Sequence, residues 1–133
     1  MSWIGIWSEH AQTYLLVIAL ITFFAFSLPL FFKPCLWAKL LLWKIPDDTH
    51  LTIYFGRCLG AFAIVTNIMF MQAAIYNLGT PFIYQFFILF CILMVIVHIW
   101  GALLRIQPVT ETIETGFWAL LLVLNVLFYP VQL

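Results

Sequence analysis

Long apolar runs separated by short polar stretches dominate this chain. Four of the runs are close to the length of a bilayer crossing, and they lie at residues 13–32, 51–76, 82–104 and 113–131. A helix needs about 20 mostly apolar residues to cross the hydrocarbon core of a bilayer. The pattern predicts an all-α, polytopic membrane protein, with four transmembrane helices in an antiparallel bundle and a single domain over residues 1–133.

The segment between the first two predicted spans has a different character. Residues 33–50 interleave lysines with tryptophans and leucines, as at Trp37, Lys39 and Trp43. Such a mixture is typical of the headgroup region, where indole rings lie at the interface and lysine charges reach water. We therefore predict an interfacial segment that lies flat on the membrane. A second interpretation is that it prolongs the first helix beyond the membrane.

Turn-forming and capping residues mark the ends of the predicted helices. Residues 77–81 read Asn-Leu-Gly-Thr-Pro, which predicts a tight turn and hence a hairpin of the second and third spans. Pro29 should kink the far end of the first span, because proline has no backbone N–H. Thr110 is a candidate N-cap of the last span, which carries Glu111 and Glu114 at its positive end.

Composition excludes a water-soluble globule. Of the 133 residues, 66% are hydrophobic and only 8% are charged, and the mean hydropathy is +1.15. Such a chain has too little polar surface to cover a soluble domain. The net charge is zero and the lysines of residues 33–50 are few and widely spaced, so nucleic acid is not a predicted partner. The three cysteines form no C-x-x-C pair, so no disulfide framework is predicted.

Basic residues are distributed unequally between the two sides of the predicted membrane. Four of the five lie in the first and third connections, and these are Lys33, Lys39, Lys44 and Arg105. Cytoplasmic connections of membrane proteins are enriched in lysine and arginine. Both termini are therefore predicted to be non-cytoplasmic, and the short connections favour a bacterial inner membrane.

Ionisable residues in or beside the spans are the candidates for function, because a charged group at a span centre costs on the order of 3 kcal/mol to insert. Arg57 and His98 each lie about six residues inside the cytoplasmic ends of their spans, so their depths match. Arg105, Glu111 and Glu114 follow near the same surface. We predict that these five side chains gather into a binding site for a lipid, sterol or quinone-like molecule.

Helical spacing places several of these residues on common faces. In the third span, positions that include Cys91, His98 and Arg105 recur at spacings of three and four residues and form one stripe. In the last span, Glu114, Trp118 and Asn125 form a comparable stripe. In the second span a small-residue face is predicted to pack against protein, and it comprises Gly56, Gly60, Ala63 and Asn67.

Two interpretations of the polar cluster stay open at this point. In the first, it binds the head of a lipophilic molecule or moves a proton, since paired charges in a low dielectric have shifted pKa values. In the second, the arginines pair with the glutamates or reach the headgroups, and the cluster only fixes helix packing. No nucleophile elbow or phosphate-binding loop is present, so no catalytic residue is predicted.

Neither a cofactor nor a metal is predicted from residue spacing. A b-type haem would need histidines at matching depths on facing helices, whereas His10, His50 and His98 lie at three different depths. A hard-metal site would draw on acidic residues and a histidine near one surface, namely Asp47, Asp48, His50, Glu111 and Glu114. These residues show no H-x-x-E-H or similar spacing.

Residues 54–61, Tyr-Phe-Gly-Arg-Cys-Leu-Gly-Ala, with His98 late in the next helix, resemble the DoxX-like group of small four-helix membrane proteins. That group includes a quinone-linked oxidoreductase subunit, so the resemblance implies an accessory membrane subunit. Thr49-His50-Leu51, Phe55-Gly56 and His98 are similar to the ergosterol-biosynthesis scaffold family. The arginine expected before Phe-Gly and the Ser-Glu pair expected after the histidine are absent.

The favoured hypothesis is a non-catalytic accessory or scaffold subunit that assembles with another membrane protein or with itself. The reason is that nearly every residue can be assigned to crossing the membrane, to helix packing or to anchoring at the interface. The alternative is a membrane-embedded redox or lipid-modifying enzyme that uses Arg57, His98 and Glu114. A transporter is disfavoured because no acidic residue lies near the predicted bilayer midplane.

Overall fold

The computed structural model describes residues 3–131, and within them the chain is helical with no strand. The five helices of this part are α1 (Ser8–Phe32), α2 (Pro34–Leu40), α3 (His50–Tyr76), α4 (Thr80–Leu103) and α5 (Val109–Leu127). All except α2 are long and apolar enough to cross a membrane. The chain is therefore an all-α, multi-pass membrane protein, as the hydropathy pattern predicted.

The last span begins earlier than predicted, at Val109 rather than near residue 113. Pro108 precedes it in an extended conformation with φ −67° and ψ 165°, and it is the N-cap of the helix. The prediction that Thr110 is the N-cap is therefore wrong. Thr110 lies in the first turn, and its hydroxyl donates a hydrogen bond to the Leu41 carbonyl in the segment after α2.

Helix α1 ends in a distorted region that folds α2 back toward it. A π-helical turn spans Phe23–Ser27, just before Pro29. Because proline has no N–H, Pro29 cannot donate to the Ala25 carbonyl four residues earlier. The Trp37 indole donates to that carbonyl instead, at 3.2 Å. This contact needs a sharp bend, which lies at Lys33 with φ −137° and ψ 63°, so α2 is a separate helix and does not prolong α1.

The predicted stripe of α4 faces the inside of the bundle. Tyr84, Phe87, Cys91, His98 and Gly101 are all buried, which confirms this part of the stripe. Arg105 lies beyond the end of the helix and is exposed. The stripe ends there because the helix stops at Leu103 and the chain turns.

The small-residue face of α3 lies against the end of α1 and the start of α2. A Cβ atom added to Gly60 would lie 2.5 Å from the Phe31 backbone nitrogen, and one added to Gly56 would collide with the Pro34 ring. Ala63, one turn further along, is half-buried. The two glycines therefore permit an approach of helix backbones that any larger residue would prevent.

Asn67 continues this face toward the middle of α3. Its side-chain amide donates to Ser27 Oγ at 2.7 Å, and its carbonyl oxygen accepts from Thr22 Oγ1 at 2.7 Å. Asn67 and Ser27 are buried, so these hydrogen bonds join α1 and α3 away from water. Polar side chains that bond across helices in this way stabilise the packing of membrane-spanning segments.

The two ends of the described chain meet at one end of the bundle. The Gly5 N–H donates to the Val126 carbonyl and the Trp7 N–H donates to the Leu127 carbonyl, both at 2.9 Å. These carbonyls lie in the last turn of α5, where a helix has no internal donors for them. The N-terminal segment thus caps α5, and the turn from α4 to α5 lies at the opposite end of the bundle.

Candidate functional site

Three ionisable side chains converge where α4 ends and α5 begins. His98 Nε2 lies 3.1 Å from Glu111 Oε2 and 3.7 Å from Glu114 Oε2. The His98 side chain is only 4% exposed, Glu111 is 13% exposed and Glu114 is 30% exposed. We call these three residues the His-Glu cluster. It is a partly desolvated site, and Glu114 is its most exposed member.

The local sequence explains why the three side chains meet. His98 lies on the buried stripe of α4, five residues before the helix ends at Leu103, and a short turn then leads into α5. Glu111 and Glu114 are three residues apart and therefore share a face at the start of α5. That end of a helix carries a partial positive charge, which stabilises carboxylates in the first turn.

The orientation of the His98 ring is fixed by the backbone of its own helix. Nδ1 lies 2.7 Å from the Met94 carbonyl oxygen, which can only accept a hydrogen bond. Nδ1 must therefore carry a proton. Nε2 faces the two carboxylates, either as a lone pair in neutral His98 or as a second N–H in the imidazolium.

The segment that follows α2 supplies the next contact of the His-Glu cluster. The Trp43 indole N–H donates to Glu111 Oε1 at 2.7 Å, so Glu111 has one oxygen on Trp43 and the other toward His98. Leu42 has a positive φ of 65°, and this turn brings Trp43 to α5. The segment after α2 is thereby tied to the first turn of the last span.

Gln107 braces the turn between α4 and α5. Its side-chain amide donates to the His98 carbonyl at 2.9 Å and to Thr112 Oγ1 at 3.1 Å. Gly101 makes room for this side chain, because a Cβ there would collide with Gln107 Oε1. Gln107 therefore holds the backbone of His98 in place relative to α5.

Trp118 forms the inner wall of the His-Glu cluster. Its ring centroid lies 6.3 Å from that of His98, and the residue is 9% exposed. Its indole nitrogen lies near the Glu114 carboxylate, but the N–H makes no hydrogen bond within the described residues. A buried donor without an acceptor is uncommon, since most buried polar atoms have a partner.

The two predicted arginines lie outside the His-Glu cluster. Arg57 is exposed on α3, where it lines a groove together with Phe31, His50 and Tyr54. Arg105 is exposed in the turn after α4, with a positive φ of 54°. Among the described residues, neither arginine forms an ion pair with a glutamate or aspartate. Three of the five side chains that were predicted to gather thus lie together. The two carboxylates contact His98 and not the arginines.

Sequence reasoning missed the supporting roles of Trp43 and Gln107. Trp43 and Glu111 are 68 positions apart, so no local spacing could connect them. The role of Gln107 could have been predicted, because a polar side chain between Arg105 and Pro108 lies within reach of both flanking helices. Comparisons with known proteins found no matching family model, no matching curated protein and no matching solved structure. The two family resemblances accordingly stay predictions.

Proposed function

We propose that this chain is a small accessory or scaffold subunit that assembles with another membrane protein or with a second copy of itself. The observation that carries the proposal is the position of Arg57. This residue is exposed on the surface of a spanning helix and, among the described residues, has no acidic partner.

The position of Arg57 on its span favours a partner outside the chain. It lies seven residues after the first residue of α3, which corresponds to on the order of 10 Å along the helix. An arginine in a span is costly unless it pairs with an opposite charge, contacts backbone carbonyls or reaches the headgroups. A carboxylate on a neighbouring spanning helix would supply such a partner, with Tyr54 and Phe31 packing beside it.

Large apolar surfaces on the spans are consistent with assembly. In the most apolar window of each spanning helix, between 17% and 28% of the residues are buried inside the protein. The other residues are partly or fully exposed, and the exposed ones are available to lipid or to a partner helix. Gly116 on α5 adds a position where a Cβ would meet no atom within 4 Å, so the backbone of α5 is open to close approach there.

The enzyme hypothesis is less well supported by the geometry. It requires Arg57, His98 and Glu114 to act on one substrate, yet Arg57 lines a separate groove from the other two. His98 and Glu114 are tied into contacts that fix the ends of α4 and α5. This arrangement favours an assembly role for Arg57 that does not involve the His-Glu cluster.

The test is native mass spectrometry of the protein extracted in nanodiscs from its own membrane. We expect wild-type protein to retain protein subunits, or a second copy, in fixed stoichiometry. Arg57→Gln should lose most of that complex because it removes the charge and keeps a polar side chain. Lys39→Gln is the matched control, since Lys39 is an exposed basic residue on α2 outside the groove.

Two outcomes would contradict the proposal. The first is a wild-type protein that is always a single protomer. The second is a complex that survives Arg57→Gln and Lys39→Gln equally. A single protomer that carries an anionic lipid, lost on Arg57→Gln, would assign Arg57 to a lipid phosphate and reject the assembly role.

A further inference from the structure

We infer that His98, Glu111 and Glu114 form a binding site for one divalent transition-metal ion of the Zn²⁺ or Mn²⁺ class. The three residues each offer one ligand atom, and these atoms all lie within 4.8 Å of one another. This inference is independent of the assembly role of Arg57, because it concerns a different site and is read out on the purified protein.

The distances within the His-Glu cluster are close to those of a metal centre. Nitrogen and oxygen ligands lie about 2.0–2.2 Å from Zn²⁺, so neighbouring ligand atoms are separated by about 2.8–3.6 Å in octahedral or tetrahedral geometry. The observed separations from His98 Nε2 are 3.1 Å to Glu111 and 3.7 Å to Glu114. The Glu114 carboxylate, the more exposed of the two, would have to rotate toward Nε2 to complete the set.

Charge balance also favours a divalent ion. The two carboxylates bring two negative charges to a half-buried site, and no lysine or arginine of the described residues forms an ion pair with them. A protonated His98 cancels one of these charges, and the positive end of α5 cancels part of the other. A divalent cation bound to neutral His98 cancels both.

Hydrogen bonds from the surroundings orient His98 and Glu111 in the way that is common for metal ligands. A ligating histidine commonly donates its second ring N–H to a carbonyl or carboxylate, and ligating carboxylates are hydrogen-bonded in turn. His98 Nδ1 donates to the Met94 carbonyl at 2.7 Å, which leaves Nε2 for the ion. The Trp43 indole donates to the outer oxygen of Glu111 at 2.7 Å, which leaves the inner oxygen for the ion.

The Trp118 indole beside Glu114 is consistent with a bound ligand. Its N–H is buried, lies beside Glu114 and has no acceptor within the described residues. A metal ion with three protein ligands commonly binds water in a further position. Such a water, or the second oxygen of Glu114 after its rotation, would give the indole its missing acceptor.

The kind of ligand selects the class of metal. One imidazole and two carboxylates, with no thiolate, suit Zn²⁺ or Mn²⁺. Mg²⁺ and Ca²⁺ prefer oxygen ligands alone, so the imidazole disfavours them. Cu⁺ prefers sulfur, and none of the three ligands supplies it.

The experiment titrates Zn²⁺, and separately Mn²⁺, into the full chain in detergent after a chelator has been used and removed. Calorimetry should give one site per chain for wild type. Glu114→Gln keeps the shape of the side chain but weakens a ligand, so we expect affinity to fall by more than about 10-fold, the loss seen even for outer partners. Asp47→Asn is the matched control, because Asp47 is an exposed carboxylate outside the cluster, and it should bind as wild type does.

Folding of each variant is checked by its thermal unfolding without metal. Trp43→Phe is a second variant that leaves all three ligands in place, and its affinity should fall between those of wild type and Glu114→Gln. Equal affinity in wild type and Glu114→Gln would overturn the metal site and identify the cluster as an imidazolium paired with two carboxylates. A visible absorption band of bound Co²⁺ in wild type that Glu114→Gln lacks would support it.

Discussion

Asn67 is the residue whose side chain contributes most clearly to the joining of two helices. It makes hydrogen bonds to Ser27 and Thr22, both 2.7 Å long and both across the α1–α3 contact. Asn67→Ala should lower the free energy of unfolding by about 1–2 kcal/mol, since interhelical hydrogen bonds in membranes average about 0.6 kcal/mol each. Unfolding in mixed micelles of a mild detergent with increasing amounts of dodecyl sulfate measures this difference in free energy.

Gln72→Ala is the control for this change, because Gln72 is an exposed polar residue of the same helix. We expect it to leave the unfolding midpoint unchanged. Thr22→Val should cost less in the Asn67→Ala background than alone, since its bond to Asn67 is already lost there and the contact with the Ile18 carbonyl of its own helix remains to be removed. Equal destabilisation by Asn67→Ala and Gln72→Ala would show that the buried hydrogen bonds do not stabilise the fold.

Gly60 and Gly116 are a matched pair for testing the close approach of α3 to α1. Glycine to alanine inside a helix normally gains about 0.5–1 kcal/mol. Gly116→Ala should therefore stabilise the protein or leave it unchanged, because its Cβ meets no atom within 4 Å. Gly60→Ala should instead destabilise by about 1–3 kcal/mol, as an overpacked contact does, since its Cβ would lie 2.5 Å from Phe31.

Thermal unfolding of the two glycine variants in one detergent gives the comparison directly. The sign of the difference is the informative quantity, because both substitutions add the same methyl group to a helix. Stabilisation of both proteins by similar amounts would mean that α3 can move away from α1 at no cost.

The residue positions that sequence could predict are those set by helical period. The burial of Cys91, His98 and Asn125 follows from spacings of three and four residues within one helix. The partners of His98 could not be chosen in the same way, because four candidate charges lay at similar predicted depth. The contact of Trp43 with Glu111 depends on the bend at Lys33 and on the course of the chain after α2, which no local spacing records.

At the scale of helices and turns, the end of α1 shows how the backbone hydrogen bond lost at Pro29 is replaced by one from the side chain of Trp37. Trp37→Phe removes the donor to the Ala25 carbonyl and should lower the free energy of unfolding by about 1 kcal/mol. In a Pro29→Ala background the same change should cost less than half as much, because residue 29 then has an N–H for that carbonyl. A double-mutant cycle on thermal unfolding measures the coupling.

Additive effects of Pro29→Ala and Trp37→Phe would show that the two residues do not share the Ala25 carbonyl. The presence of a proline kink near this point could be predicted from sequence, as could the four spans. The π-helical turn at Phe23–Ser27 could not, because its residues are as apolar as the rest of the span; its last residue, Ser27, contacts Asn67 across the α1–α3 contact. Hydropathy records the length of a span, and tertiary packing decides the course of its backbone.

At the scale of the whole molecule, the two ends of the bundle differ in chemistry. One end joins the N-terminal segment to α5 through Gly5 and Val126, and it carries no lysine or arginine in its described connections. The opposite end holds the His-Glu cluster together with four basic residues, which are Lys33, Lys39, Lys44 and Arg105. The proposed assembly through Arg57 and the inferred metal site both lie toward this basic end.

This asymmetry leads to our proposal that the basic end is cytoplasmic, and the short connections lead us to propose a bacterial inner membrane. Four spans place both termini on one side, and positively charged connections are retained in the cytoplasm. Alkaline phosphatase fused after residue 131 should therefore be active, whereas a fluorescent protein fused there should be dark. The same two reporters placed in the turn between α4 and α5, around Arg105, should give the opposite pair of results. Fluorescence from the C-terminal fusion would show that the orientation is the opposite one. The His-Glu cluster would then lie on the outer side of the membrane, where the available metal ions differ from those of the cytoplasm.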